Sequence, residues 1–187
     1  MAERTGRLRG WAANWGAEPE ELGRSLPCDR LLPDAAIVVH RAVSVDAHVP
    51  LVYRWLCQLR AAPYSYDLLD NLGRRSPQQL TPGLDLLEPG QRVMTLFELD
   101  SFERNEHVTL RSSSRATGRV AVTFATRPRW ECTRLLARFR WSPPRQLGPL
   151  RDPLLTAWAV GDLAMARRQL LNLKALAERD EHGVATA

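Results

Sequence analysis

The most regular pattern of apolar and polar residues lies near the C-terminal end of the chain, between Asp162 and Arg179. This stretch lacks Pro and Gly and is rich in Ala, Leu, Arg and Gln, which favour helices. Asp162 can cap a helix start, and Gly161 before it suits the preceding turn. One side of the predicted helix is apolar and broad enough to need a large partner surface, with Gln169 as a single polar residue inside it. That side holds Leu163, Met165, Ala166, Leu170, Leu173, Leu176 and Ala177.

The middle of the chain alternates between apolar and polar residues, as strands do. A first strand is predicted earlier, over residues 36–45, where His40 and Arg41 face opposite sides, so that one of them points inward or to a rim. Further strands are predicted over residues 93–100, 107–111, 119–127 and 132–141. The last strand has an apolar face and a face that carries Arg134, Arg138 and Arg140. This pattern predicts an antiparallel sheet with one face towards a core and one basic face towards water.

Two short helices are predicted between the first strand and the others. Pro50 suits the first turn of a helix that continues to Leu59 with apolar residues every three or four positions. A second helix is predicted over residues 65–72, with Ser65 as its cap and Gly73 just past its end. The order of elements is therefore strand, two short helices, several strands and a long helix, which is an α+β class.

The remaining segments show no sustained repeat of apolar and polar residues. Residues 1–35 are predicted to form an N-terminal arm laid over one domain of residues 36–180, with residues 181–187 as a C-terminal tail. The Pro-rich stretch 142–153 is predicted to link the last strand to the long helix. A chain of 187 residues fits one such domain.

Composition and charge narrow the function classes. No apolar run reaches the roughly 18 residues that span a bilayer, and no apolar stretch follows the charged N-terminus, so a cytoplasmic location is expected. Three cysteines without a close pair favour neither disulfides nor a zinc site. The net charge of +5 comes almost wholly from arginines, since Lys174 is the only lysine. These arginines are dispersed, so nucleic acid is not favoured as a partner.

The element order and four sequence stretches resemble the START/polyketide-cyclase superfamily, also called SRPBCC or helix-grip proteins. The stretches are RAVSVDA, VYRWLCQL, APYSYDLLDNLGRRSP and GDLAMARRQLLNLKALAE, and the lead-in WGAEPEEL resembles one bacterial branch. The resemblance covers residues 11–179. It implies a helix-grip fold, a curved antiparallel β-sheet wrapped around the long C-terminal α-helix, with a cavity between them for a hydrophobic ligand.

The resemblance and the predicted facing together indicate candidate ligand-binding residues. Large apolar side chains can line or fill the space, polar side chains inside it can orient a ligand's polar end, and two tyrosines flank the expected mouth. Each polar group can equally satisfy a neighbouring main-chain group. The candidates are Trp55, Tyr64, Tyr66, Thr95, Phe97, Phe124, Thr133, Phe139, Met165 and Gln169.

Three functions stay open at this stage. The first is binding or carriage of a small hydrophobic molecule, lipid-like or aromatic. The second is a polyketide cyclase/aromatase-type enzyme, with Tyr64, Tyr66 or His40 as the acid or base. The third is an interaction module that binds an acidic partner or nucleic acid through the arginine face. No nucleophile motif, metal-ligand spacing, phosphate loop or cofactor motif is present, so no cofactor is expected.

Overall fold

The computed structural model describes residues 2–70, 73–94, 96–114, 117–144 and 151–185. The helices are α1 (Ala2–Ala13), α2 (Pro19–Leu22), α3 (Pro27–Leu31), α4 (Val49–Cys57), α5 (Asp67–Asp70) and α6 (Arg151–Ala185), and a 3-10 turn (Gln58–Arg60) follows α4. The strands are β1 (Asn14–Trp15), β2 (Ile37–Val45), β3 (Arg92–Val93), β4 (Phe97–Glu103), β5 (His107–Ser114), β6 (Gly118–Arg129) and β7 (Cys132–Ser142).

All seven strands form one sheet in the order β1-β2-β7-β6-β5-β4-β3. Every neighbouring pair is antiparallel except β1 and β2, which are parallel and make the sheet mixed. Two short helices, α4 and α5, follow β2. The long helix α6 packs against the inner face of the sheet. The predicted helix-grip fold is therefore confirmed.

The main core lies between the inner face of the sheet, α4 and α6. The strands contribute alternate residues, as the period-two pattern predicts, because successive side chains point to opposite faces. Buried members of this core include Val39, Val122, Phe124, Leu135 and Phe139 from the strands and Ala166, Leu170, Leu173 and Ala177 from α6. The predicted apolar stripe of the last helix is thus the side that meets the sheet.

Helix α6 starts earlier than the sequence predicts. It begins at Arg151, and Asp162, predicted as its cap, lies inside it with its carboxylate buried against Arg41 of β2. Pro153 falls in the first turn, where a helix tolerates proline. Gly161 is exposed within the helix, where glycine costs about 1 kcal/mol relative to Ala. Leu155 and Ala159, which precede Gly161, are buried and extend the apolar stripe of the helix towards its N-terminus.

The outer face of the sheet is covered, so the prediction that its basic side is wet was wrong. The segment of residues 16–34, which includes α2 and α3, lies across β2, β7 and β6. Leu26, Cys28 and Leu32 pack there on Ala121, Ala125 and Leu136 and form a second, smaller core. Arg134 and Arg138 are 7% and 5% exposed.

The arginines of this face bind the covering segment directly. Arg138 donates to the main-chain oxygens of Glu21, Leu22 and Arg24 and to the Asp29 carboxylate. Arg134 pairs with both oxygens of the Glu21 carboxylate, and Arg140 pairs with Asp29. These side chains are not available to an acidic partner or nucleic acid, which removes the third function.

Helix α1 packs on α6 at the same end of the molecule as β1. The boundaries 1–35, 36–180 and 181–187 stay predictions. In the described part of the chain, no helix is both long enough and apolar enough to cross a bilayer.

Candidate functional site

Trp55 connects α4 to the long helix. Helix α4 begins after His48, with Pro50 in its first turn, and turns Trp55 fully into the core. The indole Nε1 donates to Asp180 Oδ2 of α6 at 3.0 Å. Its ring meets the ring of Tyr64 edge to face, with 6.0 Å between centroids. Trp55 is therefore a wall of the candidate site that is held in place from both sides.

The chain between the 3-10 turn and α5 is fastened to α6 by side-chain amides. Gln169 Nε2 donates to the main-chain oxygen of Pro63 at 2.7 Å, and Asn172 Nδ2 donates to that of Tyr64 at 2.8 Å. Tyr64 has a φ of 56°, a left-handed conformation that is uncommon and strained for a bulky non-glycine residue. The two amides hold the chain in this conformation.

The hydroxyl of Tyr64 is the unusual group of the site. The residue is only 1% exposed, and among the described residues its hydroxyl has no hydrogen-bond partner. Burial, with a contribution from Asp67, raises the pKa of Tyr64 to about 12. The group is therefore a neutral hydrogen-bond donor at ordinary pH, and leaving it unpaired costs about 1–3 kcal/mol.

The other predicted site residues take different places. Phe124 and Phe139 are buried and meet edge to face at 5.7 Å between centroids. The Thr133 hydroxyl donates to the main-chain oxygen of Ala47, so it satisfies a neighbouring main-chain group. Phe97 and Met165 are half-buried, whereas Tyr66 is 44% exposed. Thr95 lies outside the described residues.

Met94 adjoins this site although the sequence pattern does not reveal it. Gln169 Nε2 is 3.3 Å from Met94 Sδ as well as bonded to Pro63. Gln169 thus lies between the segment that carries Tyr64 and the connection between β3 and β4. Gln169, the polar residue inside the apolar stripe of α6, thus joins the helix to both of these segments.

His40 and Cys57 have pKa values that their surroundings shift far from neutral. His40 faces the covered outer side, where Arg138 Nε donates to its Nδ1, and burial and that cation lower the pKa of His40 to about 4. Cys57 is buried beside Tyr53, and burial raises the pKa of its thiol to about 12. Among the described residues, no group of His, Cys, Asp and Glu side chains is arranged to hold a metal ion.

An ion pair joins the sheet to α6 on the inner side. Of His40 and Arg41, one of which was expected to point inward or to a rim, Arg41 points inward, and its Nη2 lies 2.7 Å from Asp162 Oδ2. Burial raises the pKa of Asp162 to about 6, and Arg41 opposes that rise. The sequence offered a signal for Asp162, because it lies four residues before Ala166 on the extended apolar stripe.

Solved structures share this fold. The di-domain ARO/CYC StfQ from the steffimycin biosynthetic pathway aligns with 81% of this chain at 13% identity and a TM-score of 0.52. This chain spans only 54% of that protein, about half its length. The protein of unknown function SA2116 from Staphylococcus aureus aligns over 76% of this chain and 95% of its own length, at 12% identity and a TM-score of 0.50. No protein-family model and no curated protein sequence matches the chain.

Proposed function

We propose that this chain, which has the START/polyketide-cyclase fold, binds a small hydrophobic molecule between its sheet and α6, without a covalent step. The observation that carries the proposal is the Tyr64 hydroxyl, which is buried on the α6 side of the core and lacks a partner in the described chain. A bound molecule with an oxygen acceptor would supply that partner.

The surroundings of Tyr64 suit an apolar ligand. In this proposal aromatic and thioether side chains supply the contact surface, and the rim is formed by the exposed Tyr66. The apolar set is Trp55, Phe97, Phe124, Phe139 and Met165. Thr133 and Gln169 already bond main-chain oxygens, so they act as fixed wall positions, while Tyr64 supplies the polar contact.

A cavity for such a ligand has an energetic cost. An empty space of roughly 300 Å³, the low end for a ligand site, would cost about 7 kcal/mol at roughly 24 cal/mol per Å³. The total stability of a domain is only about 5–15 kcal/mol. A space of this kind is therefore expected to hold a ligand or water in the native protein.

Binding without chemistry is favoured over a cyclase-type reaction. An efficient acid or base has a pKa near the working pH. The pKa of Tyr64, about 12, lies far above that range, and His40, with a pKa of about 4, lies on the opposite face of the sheet. Both side chains suit structural or binding roles.

Native mass spectrometry of the freshly purified full-length chain tests this function. We expect a species heavier than the chain by the mass of a small molecule, which is lost on denaturation. Thermal unfolding with a long-chain fatty acid or anthraquinone as probe should give a midpoint that rises with probe concentration. A chain that carries no molecule and is stabilised by neither probe contradicts the proposal.

A further inference from the structure

Three leucines at one end of the molecule expose most of their surface to water. Leu68 of α5 is 81% exposed, Leu86 is 73% exposed and Leu96 is 75% exposed, which makes them the most exposed leucines of the described chain. Tyr66, two residues before Leu68, is 44% exposed. These four residues form the leucine patch. Exposed apolar side chains that lie together, rather than singly, are typical of an interaction site.

Two segments of the patch adjoin the 3-10 turn that follows α4. Arg60 Nη1 donates to the main-chain oxygen of Leu86 at 3.0 Å, and the main-chain N–H of Met94 donates to the main-chain oxygen of Leu59 at 3.2 Å. Leu96 is held next to Met94, because its N–H donates to the Met94 oxygen at 2.6 Å. Met94 has a φ of 48°, which is uncommon and strained for a non-glycine residue. A strained connection therefore presents Leu96 to water.

The third segment reaches the same place through Gln169 of α6. Gln169 Nε2 donates to the main-chain oxygen of Pro63 and lies 3.3 Å from Met94 Sδ. Pro63 precedes Tyr66 by three residues, and Leu68 follows two residues later. The hydrogen bonds thus bring all three segments of the patch to one end of the molecule.

The loop that carries Leu86 is anchored without that side chain. Leu87 packs in the main core. Gln58 bonds the main chain of Thr81 as both donor and acceptor, and Arg60 donates to three main-chain oxygens of the loop. Since the loop does not need the Leu86 side chain for its attachment, the exposed leucine indicates a contact outside this chain.

The charges beside the patch are of opposite sign on its two sides. Asp85 comes directly before Leu86, and Arg75 follows the helix that carries Leu68; both charged residues are exposed. A symmetric pair of identical patches brings residues on opposite sides of the two-fold axis into contact, so Asp85 of each copy would meet Arg75 of the other. An anionic lipid surface would instead favour basic residues alone.

We propose that the leucine patch is the contact surface of a symmetric dimer of this chain. Side chains of this size and exposure present on the order of 500 Å² in each copy, so pairing would bury about 1,000 Å² in total. This total reaches the lower bound for a specific protein interface, and it suits a weak, reversible dimer. The inference concerns the outside of the molecule and does not depend on the proposed ligand.

Sedimentation equilibrium of the full-length chain tests the dimer. We expect a reversible monomer–dimer equilibrium with a dissociation constant on the order of 10 µM. Leu68→Gln and Leu96→Gln should each raise that constant at least about tenfold, because one substitution changes both halves of a symmetric interface. Each variant should fold and keep its melting temperature, since the substituted side chain is exposed.

Leu8→Gln is the matched control. It makes the same chemical change at a leucine of α1 that is 54% exposed and lies outside the patch, and the dissociation constant should stay within about twofold of the native value. The charged flanks give a second test. Asp85→Arg and Arg75→Asp should each weaken the dimer about tenfold, and the combined variant should recover to within about twofold, because the exchanged charges still attract. No recovery would overturn the symmetric arrangement.

Three further results would overturn the proposal. A chain that stays monomeric well above the expected dissociation constant has no such interface. A dimer that neither leucine variant weakens is formed through another surface. A monomeric chain that sediments with vesicles of phosphatidylcholine and phosphatidylglycerol, and no longer does so after Leu68→Gln, uses the patch to contact lipid instead. None of these results decides the ligand test by native mass spectrometry, so the proposed function stands or fails separately.

Discussion

The side-chain amide of Asn172 donates a hydrogen bond to the main-chain oxygen of Tyr64, with 2.8 Å between Nδ2 and O. Gln169, three residues earlier on α6, donates in the same way to Pro63. Tyr64 keeps a left-handed backbone, φ 56°, between these contacts. Helix α6 therefore holds the backbone of Tyr64 in this conformation, and Trp55 packs against the Tyr64 ring.

Replacement of Asn172 tests this relationship. Asn172→Ala removes the donor and is expected to lower the free energy of unfolding by about 1 kcal/mol. It should also reduce the stabilisation by anthraquinone, because Tyr64 is less firmly held. Urea unfolding with and without the probe measures both effects. The control is Arg168→Ala, at an exposed position of α6, which should change stability by no more than about 0.5 kcal/mol. Equal losses in the two variants would contradict the prediction.

Removal of the Tyr64 hydroxyl should have opposite effects on the free and the bound protein. Tyr64→Phe deletes a buried hydroxyl that has no partner among the residues that the structure describes, so the free protein should gain about 1 kcal/mol and its melting temperature should rise by about 3 °C. The affinity for anthraquinone should fall roughly threefold to tenfold, because a hydrogen bond to the ligand is lost. Differential scanning fluorimetry with a probe titration measures both.

The exposed Tyr66 provides the matched control for that variant. Tyr66→Phe makes the same chemical change two residues away. The melting temperature should stay at the native value, and the probe affinity should fall less than for Tyr64→Phe, because the hydroxyl of the rim residue Tyr66 is exposed to water. A lower melting temperature for Tyr64→Phe would mean that the hydroxyl is already satisfied in the free protein, and the main support for the proposed function would be lost.

The pattern of the last helix predicted its inner face but not its length. Between Ala166 and Ala177 the apolar period is unbroken, and these residues do meet the sheet. Pro153 and Gly161 are typical of helix ends, so the sequence predicts a linker over residues 142–153 and a helix that starts at Asp162. Packing overrides that local preference here, because Leu155 and Ala159 on the same stripe are buried.

The face of the sheet on which a strand residue lies was more predictable than the segment that covers that face. Period-two alternation placed Phe124, Phe139 and Thr133 inward correctly, since the side chains of a strand must alternate. The same rule put Arg138 on the other face, but it carries no information about which segment lies there. The segment of residues 16–34 has no sustained period, and its attachment depends on main-chain oxygens that accept from arginines. Contacts of this kind leave no signature in a hydrophobic pattern.

His40 should make the protein sensitive to acid. Its pKa is about 4 in the folded protein, lowered by burial, by Arg138 and to a smaller extent by Arg41 and Arg140, whereas Asp29 raises it. An unfolded histidine has a pKa near 6.5, so between pH 6.5 and 4 the unfolded chain binds more protons. Stability is therefore lost as the pH falls through this window, by on the order of 1–3 kcal/mol.

A comparison of the native chain with the variant His40→Gln isolates this contribution of His40. Asp162 has a raised pKa of about 6, so its effect in the same window is opposite in sign and present in both chains. His107, whose pKa is lowered by burial, likewise contributes to both. The free energy of unfolding in urea at pH 7 and pH 4.5 should fall more for the native chain than for His40→Gln. The same fall in both would show that His40 does not titrate differently on folding.

Arg138 should be the main attachment point of the covering segment. Its guanidinium is nearly buried and bonds three main-chain oxygens and the Asp29 carboxylate. Arg138→Met is expected to cost about 3 kcal/mol, because those acceptors lose their donor inside the structure. Arg111→Met changes an exposed arginine that pairs with Glu98, and it should cost far less, because an exposed ion pair contributes little in water. Limited proteolysis should cut within residues 16–34 faster in the first variant alone. Equal cleavage in both would mean that the small core of Leu26, Cys28 and Leu32 suffices to hold the segment.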